Sequence, residues 1–344
     1  MCSSDLLFAT LATGNPVIIK AHSNAILPAA MTVKIARGVL AEAGQDPNLV
    51  SLAVVEQRAA TQALATHPAV KSIDFTGSNV FGQWLIDNAR QAQVYAELAG
   101  VNNVVIESTD SYKAMLRNLA FTLCLYSGQM CTTTQAILVP ADGIDTDQGR
   151  KSFDEVAADL GAAIDKFLTD PAVATAVLGA IQSEATLDRI AEAGEYGRIV
   201  LASKKIDHPD FPKAEVRTPV LLSCDAVDEK SYMEERFGPI AFVVKVADAA
   251  AAVALSERIV REHGALTVGL YSNKQAVIDA MTDATLRAGV ALSINLTGGV
   301  FVNQSAAFSD YHGVGMNPAA NAAYSDGAFV ANRFRVVQRR YHVE

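Results

Sequence analysis

The amino-acid sequence predicts an α/β protein in which helices cover parallel β-sheets. The first observation is an alternation of apolar runs and helical patterns between residues 16 and 75, in the order strand–helix–strand–helix–strand. Parallel strands need such crossover helices, so this order favours a parallel sheet. The second observation is that the same alternation returns between residues 216 and 295. With 344 residues, of which 50% are hydrophobic, the chain is long enough for two domains or for one large α/β domain.

Charge and composition argue against several classes of function. The net charge is -9, and Lys and Arg are scattered along the chain, which disfavours nucleic acid and anionic membranes as partners. No apolar run is long enough to cross a bilayer and no basic leader follows Met1, so a cytoplasmic location is expected. The 4 Cys residues show no CxxC pattern and no Cys/His spacing typical of zinc, which predicts free thiols and no metal site.

The first part of the chain carries short elements separated by turn signals. Gly14-Asn15-Pro16 predicts a turn before the first strand. Asn24 is predicted to cap the first helix, and Gly44 suits the C′ position at its end. In chain order, the predicted strands are 16–20, 49–55 and 70–75, and the predicted helices are 24–43 and 57–66.

A glycine turn follows the third predicted strand. Phe75-Thr76-Gly77-Ser78 leads, through Gly82, into a helix that reaches about Asn88. Gly77 lets a backbone approach closely, and the free N–H groups at a helix start suit a phosphate or pyrophosphate. The glycines have the spacing GxxxxG rather than GxGxxG, so a plain strand–helix turn is an equally good interpretation.

A carboxylate, Glu97, lies in the next β-like run, Val94–Gly100, close to a glycine turn. This position corresponds to the carboxyl edge of a parallel sheet, where ligand sites are common. One interpretation is a general base in a dry pocket, and the other is a solvated surface acid. The local pattern favours neither.

A cysteine lies at the end of a predicted helix, in the loop Tyr126-Ser127-Gly128-Gln129-Met130-Cys131-Thr132-Thr133. The thiolate of Cys131 would be a good nucleophile if nearby positive charge, a helix N-terminus or a cation lowered its pKa. The exposed backbone N–H groups of such a loop can hold an oxyanion. A lone cysteine in a reduced protein is more often a small buried residue, so both interpretations stay open at this point.

The rest of the chain continues the alternation. A polar loop is predicted at 141–150. The predicted strands are 102–107, 135–139, 216–222, 241–246, 267–271, 290–295 and a charged last strand at 334–342, and the predicted helices begin near 112, 152, 183, 249 and 274.

Six segments, in this order, resemble the motifs of the aldehyde dehydrogenase superfamily: Gly14–Lys20, Phe75–Ser78 with Gly82, Glu97–Gly100, Gly128–Cys131, Glu235–Pro239 and Ser293–Asn295. The resemblance covers nearly the whole chain. It implies two doubly wound parallel-sheet domains, one for the cofactor and one for catalysis. The expected divisions are a partial dinucleotide-binding domain at 1–98, a catalytic domain at 99–296, and a return segment with a C-terminal oligomerisation strand at 297–344.

The resemblance also assigns roles to single residues. Cys131 is expected to be the nucleophile, and Glu97 the general base that activates water. Asn295 is expected to be a structural turn residue. The residues expected to bind the NAD(P) cofactor are Lys20, Ser23, Gly77, Ser78, Glu235 and Phe237.

The position three residues after Lys20 bears on the choice of cofactor. NAD-specific members of the superfamily often have a glutamate there, whereas this chain has Ser23 beside His22. A carboxylate would repel a 2′-phosphate, and neither serine nor histidine would do so. NADP is therefore the expected cofactor, with NAD second; the alternative is that both residues belong to an ordinary loop.

The chain departs from the superfamily pattern at its start. The asparagine of a W-N-x-P-like motif, which donates to the oxyanion hole, would fall just before Met1, and the N-terminal segment with its early strands and part of the oligomerisation arm is absent. The sequence is therefore expected to be N-terminally truncated. Loss of an oxyanion donor would cost roughly 3–4 kcal/mol of transition-state stabilisation.

The expected function is NAD(P)-dependent oxidation of a small-molecule aldehyde to a carboxylic acid by a cytoplasmic homo-oligomer, a dimer or tetramer. The segments 11–16 and 313–321 look closest to the ring-opening aldehyde dehydrogenases of phenylacetic acid degradation. The main alternative is a catalytically incompetent chain that keeps cofactor binding or oligomer contacts. A coenzyme A-acylating enzyme is disfavoured by the presence of Glu97, and an esterase is a weaker alternative.

Overall fold

The computed structural model describes residues 2–301, 333–334 and 338–342, with the backbone alone for residues 2–6. The chain divides into two compact units. One is formed by Met1–Glu97 with Ala322–Glu344, and the other by Leu98–Asn321.

The first unit contains two pairs of hydrogen-bonded strands among its described residues. Strand β1 pairs in parallel with β2, and β3 pairs with β4. Leu7, Val33 and Val50 form a small buried core beside the first pair. In chain order the elements are α1 (Cys2–Ala12), β1 (Val17–Lys20), α2 (Ile26–Glu42), β2 (Val50–Ala53), α3 (Arg58–Ala65), β3 (Ser72–Gly77), α4 (Asn79–Asn88) and β4 (Gln93–Leu98).

The start of α2 differs from the prediction. Asn24 does not cap this helix, because Ser23–Ala25 form a separate 3-10 turn. In that turn the ring Nδ1 of His22 accepts a hydrogen bond from the Asn24 backbone N–H at 3.2 Å. At the other end of α2 the prediction is confirmed, since Gly44 follows the C-cap with a φ of +70°. Helix α1 was not predicted.

A buried ion pair holds Arg333 in the first unit. Its side chain is 1% exposed and pairs with the Asp74 carboxylate on β3. The guanidinium also lies 4.6 Å from the centre of the Tyr95 ring, and the backbone carbonyl of Arg333 accepts from the Asn15 side chain at 2.8 Å. These contacts attach a residue near the C-terminus to the β3–β4 pair.

The second unit is organised around a seven-stranded sheet. The elements of this unit are β5 (Asn103–Ile106), β6 (Ser108–Thr109), α5 (Tyr112–Cys124), β7 (Ala136–Pro140), β8 (Ile144–Thr146), β9 (Gly149–Lys151), α6 (Phe153–Phe167), α7 (Pro171–Val177), α8 (Glu184–Ala191), β10 (Arg198–Leu201), β11 (Lys205–Ile206), β12 (Val216–Arg217), β13 (Val220–Asp225), α9 (Glu229–Tyr232), β14 (Ile240–Val246), α10 (Ala249–His263), β15 (Thr267–Tyr271), α11 (Gln275–Ala288) and β16 (Ala291–Ile294). The strand order of the sheet is β10-β13-β14-β7-β5-β15-β16, and every pair is parallel except β10 with β13.

The central strands of this sheet are buried on both faces. Every residue of β5, β7 and β15 is buried, as expected for continuous apolar strands in a parallel sheet. Helices α10 and α11 contribute to the hydrophobic core on one face, and α5 and α6 contribute to the core on the other. The doubly wound α/β fold predicted from the sequence is confirmed in this unit.

Several short elements of the second unit were missed or mistaken. The predicted loop at 141–150 contains the antiparallel pair β8–β9, with positive φ at Gly143 and Gly149 allowing the tight turns. The edge strand β10 and the short helix α7 were not predicted. Each is only four to seven residues long, too short for a clear periodic signal.

Two predictions concern the C-terminal part. Of the predicted strand 334–342, the described residues 334 and 338–342 are not in a strand, and the other three lie outside the described residues. The segment 313–321 also lies outside them. No helix in the described part of the chain is long and apolar enough to cross a membrane.

Candidate active site

The loop that carries Cys131 begins with an unusual backbone conformation. Tyr126, Ser127 and Gly128 have φ of 52°, 53° and 64°, all in the left-handed region. A non-glycine residue pays about 1–2 kcal/mol there, so other contacts must hold the conformation. One is a 2.8 Å hydrogen bond from the buried Ser127 hydroxyl to the Arg217 carbonyl. Strain of this kind is often found at functional sites, where the surrounding structure imposes a fixed geometry.

The structure describes the thiols of Cys124, Cys131 and Cys224. Cys131 and Cys224 are partly exposed, whereas Cys124 is fully buried in the core. Burial raises the pKa of Cys124 strongly, and burial together with the Asp228 and Asp225 carboxylates raises the pKa of Cys224 to about 12. Neither of these is a thiolate at neutral pH, and Cys131 remains the candidate nucleophile.

The buried side-chain amide of Asn102 holds the cysteine loop through hydrogen bonds to its backbone. Its Nδ2 donates to the carbonyl oxygens of Cys131 at 2.7 Å and Thr133 at 3.0 Å. Its Oδ1 accepts from the backbone N–H groups of Leu266 at 2.9 Å and Thr267 at 3.1 Å, where β15 begins. The loop is therefore tied to the central sheet by one side chain.

A second buried amide, Gln135, holds the loop that carries Glu235. Its Nε2 donates to the carbonyl oxygens of Tyr232 at 2.9 Å and Glu234 at 2.8 Å. Its Oε1 accepts from the Arg236 backbone N–H at 2.5 Å. These three bonds fix the backbone on both sides of Glu235.

Two glycines bring the two loops into direct backbone contact. A Cβ added to Gly128 would lie 2.4 Å from the carbonyl oxygen of Gly238. Gly238 has a φ of +131°, and a Cβ there would lie 2.5 Å from the Thr186 methyl group. The absence of a side chain at Gly128 lets the Cys131 loop and the Glu235 loop form adjacent walls, and its absence at Gly238 makes room for Thr186 on α8.

These walls enclose a narrow cleft in the second unit. Its lining includes Met130, which precedes the cysteine, together with Thr134, Glu235 and Phe237. The Phe237 ring is 39% exposed, and the buried Thr134 hydroxyl has no hydrogen-bond partner among the described residues. A carboxylate, a partly exposed aromatic residue and an unsatisfied hydroxyl are groups that can contact a polar ligand.

Glu97 lies near the end of β4 in the first unit and is 2% exposed. The solvated-surface interpretation is therefore wrong, because the side chain is shielded from water. Its role as a general base stays a prediction. Among the described residues, no group of three or more His, Cys, Asp and Glu side chains is arranged to hold a metal ion.

The other predicted cofactor residues lie in the first unit. Lys20 ends β1, and Ser23 begins the following 3-10 turn; both side chains are exposed. Gly77 ends β3, and Ser78 caps α4, accepting from the Phe81 backbone N–H at 3.5 Å. β1 and β3 belong to different two-stranded sheets, so strand pairing alone does not bring these two groups of residues together.

Gly77 has a second explanation besides ligand binding. A Cβ at this position would lie 2.7 Å from the ring of Phe75, two residues earlier on β3. The glycine thus makes room for an aromatic ring of its own strand. Its predicted part in phosphate binding stays a prediction.

Three side-chain amides near the cleft, and the turn at Asn295, make hydrogen bonds to the backbone. Asn102 and Gln135 were not predicted as site residues, because nothing in their local sequence pattern shows which backbone groups they meet. Gln129, within the cysteine motif, donates from Nε2 to the Ala180 carbonyl at 2.9 Å. Asn295 is confirmed as a turn residue, with a φ of 50° and a 3.0 Å hydrogen bond to its Oδ1 from the Ser272 backbone N–H.

Comparisons with known proteins give a consistent result. The family model described as the aldehyde dehydrogenase family matches residues 1–317. The crystal structure of an NAD-dependent aldehyde dehydrogenase from Burkholderia multivorans superimposes with a TM-score of 0.93 at 57% identity, covering 98% of this chain and 61% of that one. The 1-pyrroline-5-carboxylate dehydrogenase of Bacillus cereus strain AH187 is 25% identical over 283 residues, which are 79% of this chain and 51% of that protein.

A further relative matches a shorter region. The alpha-ketoglutaric semialdehyde dehydrogenase 2 of Azospirillum brasilense is 34% identical over 157 residues, or 44% of this chain and 29% of that protein. The chain thus spans less than two thirds of the length of each of these three relatives.

Proposed function

Because the chain belongs to the aldehyde dehydrogenase family, we propose that it oxidises an aldehyde to a carboxylic acid with NAD(P) as the hydride acceptor. The observation that carries the proposal is the cleft of the second unit, where the Cys131 and Glu235 loops meet through Gly128 and Gly238. Met130, the residue before the candidate nucleophile, and Glu235, the candidate ribose-binding carboxylate, both line this cleft. We also propose that the first unit binds the rest of the cofactor.

The thiolate of Cys131 attacks the carbonyl carbon of the aldehyde and forms a hemithioacetal. The backbone N–H of Cys131 helps to hold the negative charge that develops on the carbonyl oxygen. When bound, NAD(P) supplies the acceptor for the hydride. The acyl group then remains on Cys131 as a thioester.

Glu97 acts in the second half of the reaction. Its carboxylate takes a proton from water, and the resulting hydroxide attacks the thioester carbon, so that the acid leaves and the thiolate is regenerated. A carboxylate that is 2% exposed suits this role, because a dry environment strengthens its interaction with the one water molecule that it orients. In this assignment coenzyme A is not required as an acyl acceptor.

The preference for NADP over NAD is part of the proposal and rests on Ser23, with His22 beside it. Its exposed side chain leaves no negative charge at the position where a glutamate would repel a 2′-phosphate. The test is kcat/KM with each cofactor, for the natural chain and for Ser23→Glu. We expect the glutamate to lower kcat/KM for NADP at least 10-fold and to leave that for NAD within about threefold. Equal losses for both cofactors would remove the argument.

The substrate class is a separate proposal. We propose an aldehyde derived from aromatic-compound breakdown, such as phenylacetate degradation, on the resemblance at 11–16 and 313–321. A panel of aromatic and aliphatic aldehydes, compared by kcat/KM, tests this. A strong preference for short aliphatic aldehydes would contradict it. We also propose that the protein is cytoplasmic and forms a homo-oligomer, either a dimer or a tetramer.

The decisive experiment measures reduced-cofactor formation by the purified chain, with Cys131→Ser and Cys224→Ser run in parallel. We expect turnover without coenzyme A, abolished in Cys131→Ser and retained in Cys224→Ser. Turnover that survives in Cys131→Ser would exclude Cys131 as the nucleophile. Cofactor binding without turnover in the natural chain would instead favour the alternative of a chain that binds but does not catalyse.

A further inference from the structure

Asn102 is the side chain that joins the cysteine loop to the central sheet. It is 3% exposed, so its four side-chain hydrogen bonds are shielded from water. Its backbone carbonyl also accepts from Gln135 at 2.9 Å and from Ala136 at 3.2 Å, where β7 begins. A single residue therefore touches both ends of the segment that contains Cys131.

Two hydrogen bonds, one of them from Asn102, fix the orientation of the peptide planes around the thiol. The carbonyl of Cys131 is held by Nδ2 at 2.7 Å, which fixes the plane after the cysteine. The plane before it is fixed by the Met130 carbonyl, which accepts from the Thr133 N–H at 3.0 Å. Since a trans peptide points its N–H opposite to its C=O, the direction of the Cys131 N–H is fixed as well. With both planes set, the direction of the Cα–Cβ bond of Cys131 follows.

We propose that Asn102 is a positioning residue for the nucleophile: the two hydrogen bonds from its Nδ2 set the attack direction of the Cys131 thiolate. This inference rests on the proposed function, because it assumes that Cys131 is the attacking group. Asn102 does not touch the reacting atoms, and it acts through the backbone of the loop. The acceptor half of the amide, Oδ1, serves the fold by binding the start of β15.

The two halves of the amide can be separated by Asn102→Asp. The carboxylate keeps an oxygen to accept from Leu266 and Thr267, but it has no N–H to donate to the loop carbonyls. Two carbonyl oxygens would then face a negative charge. The neighbour Asn103 offers a matched control: it is 1% exposed, and its Oδ1 accepts from the Ser256 hydroxyl at 2.5 Å on α10. Asn103→Ala thus removes an equally buried amide without touching the cysteine loop.

The readout is the rate of alkylation of Cys131 by iodoacetamide, followed by mass spectrometry of the peptide over a range of pH. We expect Asn102→Asp to lower the rate constant about 10-fold or more, because the cysteine loop loses both hydrogen bonds that fix the backbone around the thiol. The deficit should be larger above the pKa of the new carboxyl than below it, because the protonated form can donate one hydrogen bond. Asn103→Ala should stay within twofold of the natural chain.

The same variants are assayed for kcat with an aldehyde and for cofactor affinity. Positioning predicts a lower kcat for Asn102→Asp with unchanged cofactor affinity. Alkylation and kcat both unchanged would overturn the inference. If Asn102→Asp does not fold, Asn102→Ser replaces it; should both fail to fold while Asn103→Ala folds, Asn102 serves folding rather than positioning, and the inference is wrong.

The alkylation assay separates this inference from the proposed function. If the natural chain oxidises no aldehyde but Asn102→Asp still slows alkylation with the expected pH dependence, the positioning role stands and the proposed oxidation fails. If the natural chain turns over and the variant is alkylated at the natural rate, the oxidation stands and the positioning role fails.

Discussion

Replacing Gly128 by alanine tests whether the direct backbone contact between the two loops is required. A Cβ at this position would lie 2.4 Å from the Gly238 carbonyl oxygen and 2.8 Å from its carbon. Both are backbone atoms, which cannot rotate away as a flexible side chain can. The methyl group must therefore displace one of the two loops.

The cost has two parts, and a second glycine separates them. Gly298 has a φ of 67°, close to the 64° of Gly128, but a Cβ there would meet nothing within 4 Å. Gly298→Ala thus measures the strain of a left-handed alanine, which is about 1–2 kcal/mol. Alanine also makes the unfolded chain stiffer, which offsets about 0.4–1 kcal/mol of this loss of stability. Gly128→Ala adds the overpacking, about 1–3 kcal/mol. We expect a destabilisation of about 1 kcal/mol at Gly298 and about 3 kcal/mol at Gly128.

Urea unfolding followed by far-ultraviolet circular dichroism gives both values. With a slope of about 3 kcal/mol/M, the Gly128 variant should unfold at a urea concentration about 1 M below that of the natural chain. The single tryptophan, Trp84 on α4, reports separately on the first unit. Equal destabilisation of the Gly128 and Gly298 variants would refute the steric argument, because strain alone would then explain both.

Three further predictions concern other contacts. Gln135→Glu removes the donors that hold the loop of the ribose-binding carboxylate, so the KM for NAD(P) should rise about 10-fold in steady-state assays while alkylation of the thiol is unchanged. Asp74→Asn leaves Arg333 buried without its counter-charge and should destabilise the first unit by about 3 kcal/mol in urea, measured by tryptophan fluorescence; a loss below 1 kcal/mol would contradict this. Burial raises the pKa of Glu107, but hydrogen bonds from Lys274 and two serines outweigh that effect, so the pKa is lowered overall. The ionised Glu107 carboxylate therefore stabilises the fold at neutral pH, and this stabilisation is lost as the pH falls below about 4.5. Lys274→Met should therefore lower the free energy of unfolding by about 1 kcal/mol at pH 7 and by almost nothing at low pH. The value at pH 7 is small because the lysine is largely exposed to water. A loss that does not depend on pH would contradict this role of the Lys274–Glu107 pair.

Sequence patterns predicted the second unit well because its signals are strong. Strands such as β15 and helices such as α10 lie at the predicted positions, since continuous apolar runs and helical periodicity arise directly from burial. The capping of α6 by Ser152 and Glu155 follows a reciprocal pattern that is visible in the sequence. Most of the missed elements have at most seven residues, which are too few positions for such a pattern; helix α1, with 11 residues, is the exception.

The candidate site was only partly predictable for a different reason. Cys131 and Glu235 stand out because their motifs consist of consecutive residues. Asn102 binds the backbone carbonyl of Cys131, which is 29 residues away in the chain. Gln135 binds the backbone carbonyl of Glu234, which is 99 residues away. No local pattern encodes such pairings. Asn24 shows the converse: its residue type favours capping, but it lies inside a 3-10 turn, capped by His22, that precedes α2.

The threonines after the cysteine have a practical consequence for library design. The hydroxyls of Thr132, Thr133 and Thr134 have no hydrogen-bond partner among the described residues. The backbone of the same loop, in contrast, is held by hydrogen bonds from Asn102. Thr133 and Thr134 also line the cleft. A mutagenesis library that varies these two positions and leaves the buried amides untouched would sample new cleft shapes while the backbone that supports them stays the same.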